Sequence, residues 1–263
     1  MGDHITAPGP APTPERPRAG SAGRPAVREV STRVVQAPSN PTFSLVRWAA
    51  QHCPEGGTVL DIGAGEHASG DIGHLLRHRA YLVGTDPDPA IERNRALDET
   101  HRLTAEELAH AHPGRYDVLL SVFVIEHVEN PPAFASACAR LLRPGGSWFA
   151  LTLNVHHYFG ATAWASNRLG IQPAVVHRLT DTAGEHDHRF PARYRFNSLR
   201  TVTRVCREAG FDTVELRMYD APDRYAWYLP HLLARLPAAY SSLVYRFGQP
   251  GLMGHLTFRA QRS

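Results

Sequence analysis

The glycine-rich stretch VLDIGAGEHA, residues 59–68, is the strongest chemical pattern in this chain of 263 residues. Gly63 and Gly65 follow an apolar run, and glycines at such a turn let the main chain approach a ligand closely. Asp86 comes 21 positions after Gly65, at the end of a second apolar run, where a carboxylate accepts hydrogen bonds from ribose hydroxyls. The pattern predicts the adenosine half of a cofactor site.

The charges around the glycines favour a cationic ligand over a dinucleotide. Gly63, Gly65 and Ala68 satisfy the permissive dinucleotide fingerprint, whose pyrophosphate lies at the helix N-terminus just past the second glycine. Glu66 stands at that position, and Asp61 adds a second carboxylate. An anion would be repelled there, whereas a sulfonium compound with an α-ammonium group, such as S-adenosylmethionine, would be attracted.

Alternating strand-like and helix-like segments must position these residues. The predicted strands are 58–62, 81–85, 116–124, 147–153, 211–219 and 254–260, and the predicted helices include 41–52, one capped by Asn130 and one capped by Asn197. Continuous apolar strands separated by helices are typical of βαβ units, with a parallel sheet covered on both faces. The fold class is therefore α/β, a Rossmann-like doubly wound sheet that binds ligands at the carboxyl ends of its strands.

Composition excludes several classes of function. The apolar share of 43% and charged share of 20% are ordinary for a soluble domain, and a net charge of +3 without a basic stripe argues against a nucleic-acid partner. All 28 basic residues are arginine, so Schiff-base and other lysine-dependent chemistry is excluded. The three cysteines are odd in number and far apart, so we expect reduced thiols in a cytoplasmic protein and no disulfide framework or zinc site; they are Cys53, Cys138 and Cys206. From the sequence pattern we expect neither a leader peptide nor a membrane-spanning helix.

Four motifs in order resemble those of the class I S-adenosylmethionine-dependent methyltransferases. VLDIGAG resembles their first motif, and YLVGTD their acidic ribose-binding motif. RYDVLLSVFVIEHVENP and LLRPGGSWFALTLN are similar to the fourth- and fifth-strand motifs of the branch that acts in ubiquinone and menaquinone biosynthesis. The resemblance covers residues 45–155, and it implies an antiparallel last strand and S-adenosylmethionine as the cofactor.

The resemblance also implies roles for particular residues. Asp61 would hold the α-ammonium group, Gly63 and Gly65 would admit the methionine and ribose portions, and Asp86 would bind the ribose hydroxyls. The other implied cofactor contacts are Pro87 against the adenine, Thr104 and Ala105 at its amino group, and Ser121 near the sulfonium. Thr104 replaces the aspartate that is usual in the family, and His67 replaces a third glycine.

Three histidines are candidates for a general base. His127 follows the fourth-strand motif, where the transferred methyl group would point, and His156 and His157 follow the fifth. Each of them could instead pack or cap a helix, and an acidic nucleophile would need no base. His186, Asp187 and His188 have no second ligand cluster, so we expect a solvated loop and no metal site.

Composition and the resemblance together indicate the domain organisation. Residues 1–38, rich in Pro, Ala, Gly, Arg and Ser, are predicted to be a disordered tail. The resemblance implies that residues 39–263 form the methyltransferase domain. The irregular segments 155–196 and 220–253 are predicted to be a substrate lid. Within the second, 225–247 is interpreted as short helices on the sheet edge or at a homodimer interface. Peripheral contact of this stretch with a membrane or with a lipid-like substrate is the alternative.

Together with the cofactor pattern, the resemblance implies an S-adenosylmethionine-dependent methyltransferase. Its acceptor would be small or medium-sized and apolar or aromatic, with oxygen, nitrogen and carbon all open as the acceptor atom. Two alternatives stand beside it, a non-catalytic S-adenosylmethionine-binding partner subunit and an NAD(P)-dependent oxidoreductase. The short-chain type of oxidoreductase is excluded because its Tyr-x-x-x-Lys pair needs a lysine.

Overall fold

The structure is a computed structural model, and it describes residues 29–66, 72, 75–169, 191–223 and 235–263. Its strands are β1 Glu29–Val34, β2 Gly57–Ile62, β3 Ala80–Thr85, β4 Glu99–His101, β5 Tyr116–Val122, β6 Leu142–Leu153, β7 Thr213–Tyr219 and β8 His255–Gln261. Its helices are α1 Pro41–Ala50, α2 Ala105–Ala111, α3 Pro131–Leu141, α4 Tyr158–Arg168, α5 Leu199–Glu208 and α6 Leu236–Phe247, with 3-10 turns at Pro89–Arg93 and Pro250–Leu252.

The described strands form one sheet in the order β1-β7-β8-β6-β5-β2-β3-β4. Only β8 is antiparallel, and it pairs with β6 on one side and β7 on the other. The predicted fold class, a mostly parallel Rossmann-like sheet with an antiparallel last strand, is confirmed. The strand order reverses between β2 and β5, which are parallel neighbours, so a crevice opens at their carboxyl ends.

The side chains of successive residues in the central strands lie on opposite faces of the sheet. Trp148 and Phe149 of β6 are both fully buried, the first in a cluster under α2, α3 and α5 and the second in a cluster under α1. Strands buried on both faces read as continuous apolar runs, which is why β5 and β6 were recognisable in the sequence. On β2 the same alternation places Asp61 on the α1 side of the sheet, with Val59.

The N-terminal boundary of the domain differs from the prediction. Residues 29–34, assigned to the disordered tail 1–38, form β1, which pairs in parallel with β7 from Glu29 opposite Thr213 to Val34 opposite Met218. The segment alternates β-branched residues, and its main chain gains the hydrogen bonds of an edge that β7 would otherwise leave unpaired. Residues 29–34 therefore belong to the sheet, and residues 1–28 lie outside the described part.

Two helix starts show how much capping the sequence can predict. Asn130 caps α3 as predicted, its Oδ1 accepting the Ala133 N–H at 3.2 Å. The predicted cap of α5, Asn197, is wrong by one residue, because Ser198 accepts the Thr201 N–H. Asn197 is almost fully buried, and its amide donates to β6 instead. Two adjacent cap-forming residues are locally equivalent, and a contact with a distant strand decides between them.

The two predicted lid segments are described in part. α4 follows β6 directly, and α6 packs Val244 against the core while exposing Leu236, Leu243 and Phe247. Two parts of these segments, residues 170–190 and 224–234, lie outside the described residues. The second part contains the first ten residues of the stretch 225–247. Among the helices that are described, none has the length and apolar character needed to cross a bilayer.

Candidate active site

Several of the predicted cofactor residues lie around the crevice at the carboxyl ends of β2, β3 and β5. The Gly63 N–H donates to the Thr85 carbonyl at 2.8 Å, so the loop after β2 stays joined to β3 beyond the strand itself. Gly63 has φ +76°, and a Cβ there would lie 2.5 Å from Cγ2 of Val124. Gly65 has φ +54° with open space where its side chain would be. The first glycine permits packing between loops, and the second leaves room for a ligand.

Asp86 ties the β2 loop to the β3 loop. Its Oδ2 accepts the Gly65 N–H at 3.0 Å, and its Oδ1 accepts the Asp88 N–H at 2.8 Å. Asn94, which the sequence analysis missed, donates from Nδ2 to the Gly65 carbonyl at 3.0 Å. The carboxylate therefore sits at a fixed position at the end of β3, beside the exposed ring of Pro87.

Asp61 is a buried carboxyl close to another acid. Only 4% of the residue is exposed. Burial raises its pKa, the nearby charge of Asp86 raises it in the same direction, and together they bring it to about 7. A carboxylate in this position is stabilised by a cation placed between the two acids, so this edge of the sheet favours a positively charged ligand.

The interpretation of Glu66 needs correction. Its carboxylate accepts two hydrogen bonds from the Arg93 guanidinium, at 3.0 and 2.7 Å, so its charge is offset by a partner 27 positions away. Repulsion of a phosphate by Glu66 is therefore weaker than the sequence suggested. The preference for a cation rests on Asp61 and Asp86. His67 and Ala68 lie outside the described residues.

Thr104 and Ala105, predicted at the adenine amino group, begin α2. The Thr104 hydroxyl accepts the Glu107 N–H and donates to the Glu107 carboxylate, which also accepts the Thr104 N–H. This capping box uses the hydroxyl hydrogen and one lone pair. Ala105 is buried in the core. Capping accounts for both residue types, and a contact with adenine stays a prediction.

Ser121 does not present its side chain to the crevice. It is fully buried, and its Oγ accepts the indole N–H of Trp148 at 3.0 Å. On β5 it shares the face of Leu119, opposite to the face that carries Asp61 on β2. Side-chain direction along a strand alternates, and the hydroxyl of Ser121 lies on the core side. The predicted position of Ser121 near the sulfonium stays a prediction, and a contact there would involve its main chain.

We expect Ser121→Ala to lower the free energy of unfolding by about 1–2 kcal/mol, because a buried indole N–H loses its acceptor. The dissociation constant for S-adenosylhomocysteine should stay within about 2-fold of wild type. Urea unfolding and calorimetric titration measure the two quantities. A cofactor affinity at least 10-fold weaker with unchanged stability would restore Ser121 to the site.

The three histidines occupy different environments. His156 is exposed after β6, and His127 is half-buried at the turn after β5, with its N–H bonded to the Val124 carbonyl. His157 is 1% exposed, and its Nε2 lies 3.3 Å from Oδ1 of the equally buried Asp220. His127 and His156 remain candidates for a base. His157 is enclosed among aromatic rings, so the expectation that it faces the cleft is corrected.

We expect His157→Leu to lower the free energy of unfolding by about 3 kcal/mol, because the carboxyl group of Asp220 would remain buried without the imidazole that lies 3.3 Å from it. The double variant with Asp220→Leu should cost less than the sum of the two single variants. Denaturant unfolding of the three variants checks this. Additive losses would contradict the pairing, and loss of methyl transfer at full stability would make His157 a base.

Glu126 forms a buried polar network beneath the turn after β5. Its carboxylate accepts the Thr152 hydroxyl at 3.1 Å, and Thr152 in turn accepts the Asn197 amide. Its carbonyl accepts the N–H groups of Arg193 and Tyr194, so it ties the returning chain to the sheet. Burial raises the pKa of Glu126 to about 7. The sequence analysis missed this role, although an acid directly after an apolar strand was the available signal.

Metal binding gains no support. Among the described residues, no group of three or more His, Cys, Asp or Glu side chains is arranged to hold an ion. His186, Asp187 and His188 lie outside the described part, so the solvated loop expected there stays a prediction.

A family model for a methyltransferase domain matches residues 40–216 of this chain. The chain belongs to that family. This methyltransferase is 40% identical to a ubiquinone biosynthesis O-methyltransferase of Sodalis glossinidius over 135 residues, which are 48% of this chain and 53% of the relative. A protein of the same name from Thiobacillus denitrificans is 32% identical over 187 residues, 65% of this chain and 72% of that relative.

The architecture is also shared with solved structures. The crystal structure of a SAM-dependent methyltransferase from Archaeoglobus fulgidus matches with a TM-score of 0.54 at 13% identity, over 84% of this chain and 93% of that one. The predicted family, fold and cofactor, S-adenosylmethionine, are confirmed. The alignment with the Sodalis relative spans about half of its length, so the relatives do not define the acceptor of this methyltransferase.

The residues of the crevice fit the cofactor of this family. Asp61 is a buried carboxyl whose ionised form needs a cation, and the α-ammonium group of S-adenosylmethionine is one. Gly65 leaves open space where a larger residue would intrude. Asp86 is anchored by two main-chain N–H groups and has lone pairs left for hydroxyl donors.

Proposed function

We propose that this methyltransferase transfers a methyl group from S-adenosylmethionine to a small or medium-sized, apolar or aromatic acceptor. The observation that carries the proposal is the buried Asp61 beside Asp86 at the carboxyl ends of β2 and β3. Two acids at the end of adjacent parallel strands, next to a glycine with free space, suit a ligand with an ammonium group and a ribose.

Each group has a specific task in this mechanism. When bound, S-adenosylmethionine supplies an electrophilic methyl group on a positively charged sulfur. Asp61 would hold its ammonium group and Asp86 its ribose hydroxyls, and these contacts would orient the donor toward the acceptor. Most of the rate enhancement would come from that orientation. A proton leaves an oxygen or nitrogen acceptor through His127 or His156.

The surroundings proposed for the protein follow from its composition. A net charge of +3 supports a small-molecule acceptor and no nucleic-acid partner. Cys53, Cys138 and Cys206 are buried and free, which supports a cytoplasmic setting. The segments 155–196 and 220–253 are proposed to cover the acceptor, with α4 and α6 as their described helices. Contact of α6 with a second subunit belongs to the same proposal.

Transfer of a labelled methyl group tests the proposal. Wild-type protein is incubated with methyl-tritiated S-adenosylmethionine and host extract, and the labelled product is separated and identified. Because the two curated relatives are named as O-methyltransferases, hydroxylated aromatic compounds are the first pure acceptors to test. We expect label in a small organic product and formation of S-adenosylhomocysteine. Binding of the cofactor without any transfer would favour the partner-subunit alternative.

A further inference from the structure

Phe123, at the end of β5, has a main-chain conformation that bulky residues rarely adopt. Its φ is +53°, and Tyr194 is the other residue in the described part that has positive φ without being glycine. The left-handed region crowds the Cβ against the following carbonyl, so the surrounding structure must hold the residue there. Strain of this kind is found most often at functional sites.

Phe123 is an exposed residue in a stretch of chain that is otherwise buried or half-buried. The residue is 39% exposed, whereas Val122 and Val124 beside it are half-buried and Ser121 and Ile125, one position further out, are fully buried. An aromatic ring at such a position loses the free energy that it would gain by burial in the core. Ligand contact would recover that burial.

Two contacts place Phe123 in the crevice of the proposed active site. Its N–H donates to the Leu151 carbonyl at 2.9 Å, so it lies beside the end of β6. The next residue, Val124, packs against Gly63 in the loop that follows β2, which we call the cofactor loop (residues 63–66). Phe123 therefore lies between the cofactor loop and the start of the segment that leads to the lid, where an acceptor must lie to meet the methyl group.

From this placement we infer that Phe123 is a specificity-determining residue that stacks against a flat aromatic ring of the acceptor. The inference rests on the proposed function and narrows its acceptor to aromatic compounds. A phenyl ring packs against a planar ring by offset stacking or edge to face, and it gains less from a puckered saturated ring of similar size. The left-handed main chain directs the ring out of the core, where a regular strand would have buried it.

Binding to the complex with S-adenosylhomocysteine tests the inference without a known acceptor. The probes are 2-naphthol and its saturated counterpart 2-decalol, titrated by calorimetry into wild type, Phe123→Ala and Phe123→Gly. Tyr81→Ala and Tyr81→Gly are matched controls, because Tyr81 is an exposed aromatic residue, 45% exposed, at the amino end of β3 away from the crevice.

We expect both Phe123 variants to bind 2-naphthol about 10-fold more weakly than wild type, and 2-decalol with a change below about 3-fold. The affinity for S-adenosylhomocysteine should stay within about 2-fold in every variant. The melting temperature of Phe123→Gly should be about 2–4 °C higher than that of Phe123→Ala, because position 123 has a left-handed main chain. At position 81, which lies in a regular strand, the glycine variant should instead melt at a lower temperature than the alanine variant. A higher melting temperature for Phe123→Gly would confirm the strained conformation in solution.

Three results would overturn the inference. Unchanged 2-naphthol affinity in both Phe123 variants would remove the stacking contact. Wild type that binds S-adenosylhomocysteine but neither probe, or both probes equally, would remove the preference for a flat ring and leave the methyltransferase proposal standing. Wild type that does not bind S-adenosylhomocysteine would overturn the proposed function and the inference together.

Discussion

Asp61→Asn is expected to raise the stability of the ligand-free protein at pH 8 and to weaken cofactor binding at the same pH. The pKa of Asp61 lies near 7 in the folded chain, against 3.8 as its ordinary value. Below about pH 3 the carboxyl is mostly protonated in both states. As pH rises to 7, only the unfolded state ionises it, so stability falls by on the order of 4 kcal/mol and stays low above pH 7.

Asparagine cannot ionise and removes this pH-dependent loss. The bound cofactor reverses the sign, because its ammonium group favours the ionised form of Asp61. Binding of S-adenosylhomocysteine to wild type should therefore tighten about 10-fold from pH 6 to pH 8, and binding to Asp61→Asn should be weaker and nearly independent of pH. Calorimetric titrations and urea unfolding at both pH values measure these effects.

Glu126→Gln is the matched control for this experiment. Glu126 is a second buried carboxyl whose pKa is raised to about 7, and it lies in a network with Thr152 and Asn197, apart from Asp61 and Asp86. Its replacement should also reduce the loss of stability toward pH 8, while the tightening of cofactor binding is kept. Equal slopes of affinity against pH in wild type and Asp61→Asn would contradict the role of Asp61.

Asp86→Ala is expected to weaken binding of S-adenosylhomocysteine by about 100-fold. Hydrogen bonds from two ribose hydroxyls to a carboxylate contribute together about 3 kcal/mol, and that loss corresponds to this factor. The variant also frees the Gly65 N–H, which Asp86 holds at 3.0 Å, so the cofactor loop loses its anchor. Methyl transfer should fall with binding at any fixed cofactor concentration.

Asp98→Ala separates loss of binding from loss of a structural hydrogen bond. The Asp98 carboxylate accepts the Leu82 N–H at 2.8 Å, so its removal also frees a main-chain donor of β3, but at the opposite end of the strand. It should lower stability and leave the affinity within about 3-fold of wild type. An Asp86→Ala affinity inside that same range would contradict the assignment of Asp86 to the ribose.

The parts of the fold that the sequence could predict are those determined by local patterns. β2, β3, β5 and β6 are apolar runs buried on both faces, and the Asn130 cap with Pro131 is a local signal. β1 escaped prediction because its partner, β7, lies about 180 residues away and an edge strand needs few apolar residues. The composition of residues 1–38 is that of a disordered tail, so the short β-branched segment at its end was not recognised as a strand.

In the active site, residue types were predictable but side-chain environments were not. The motifs located Asp61 and Asp86 because their positions follow directly from strand ends. Pairing of Glu66 with Arg93 depends on a loop that returns to the same edge. The direction of Ser121 depends on the phase of β5, and the enclosure of His157 depends on Asp220, 63 positions later in the chain. Such contacts come from tertiary packing, which local spacing does not encode.

The central claim is that the crevice of this methyltransferase binds S-adenosylmethionine, and calorimetric titration of the cofactor into the wild-type protein at pH 8 tests it most directly. S-adenosylhomocysteine and NADH are titrated in parallel. We predict one site per chain with micromolar or tighter affinity for the two adenosyl compounds and no binding of NADH. Binding of NADH, or no binding of either adenosyl compound, would contradict the claim.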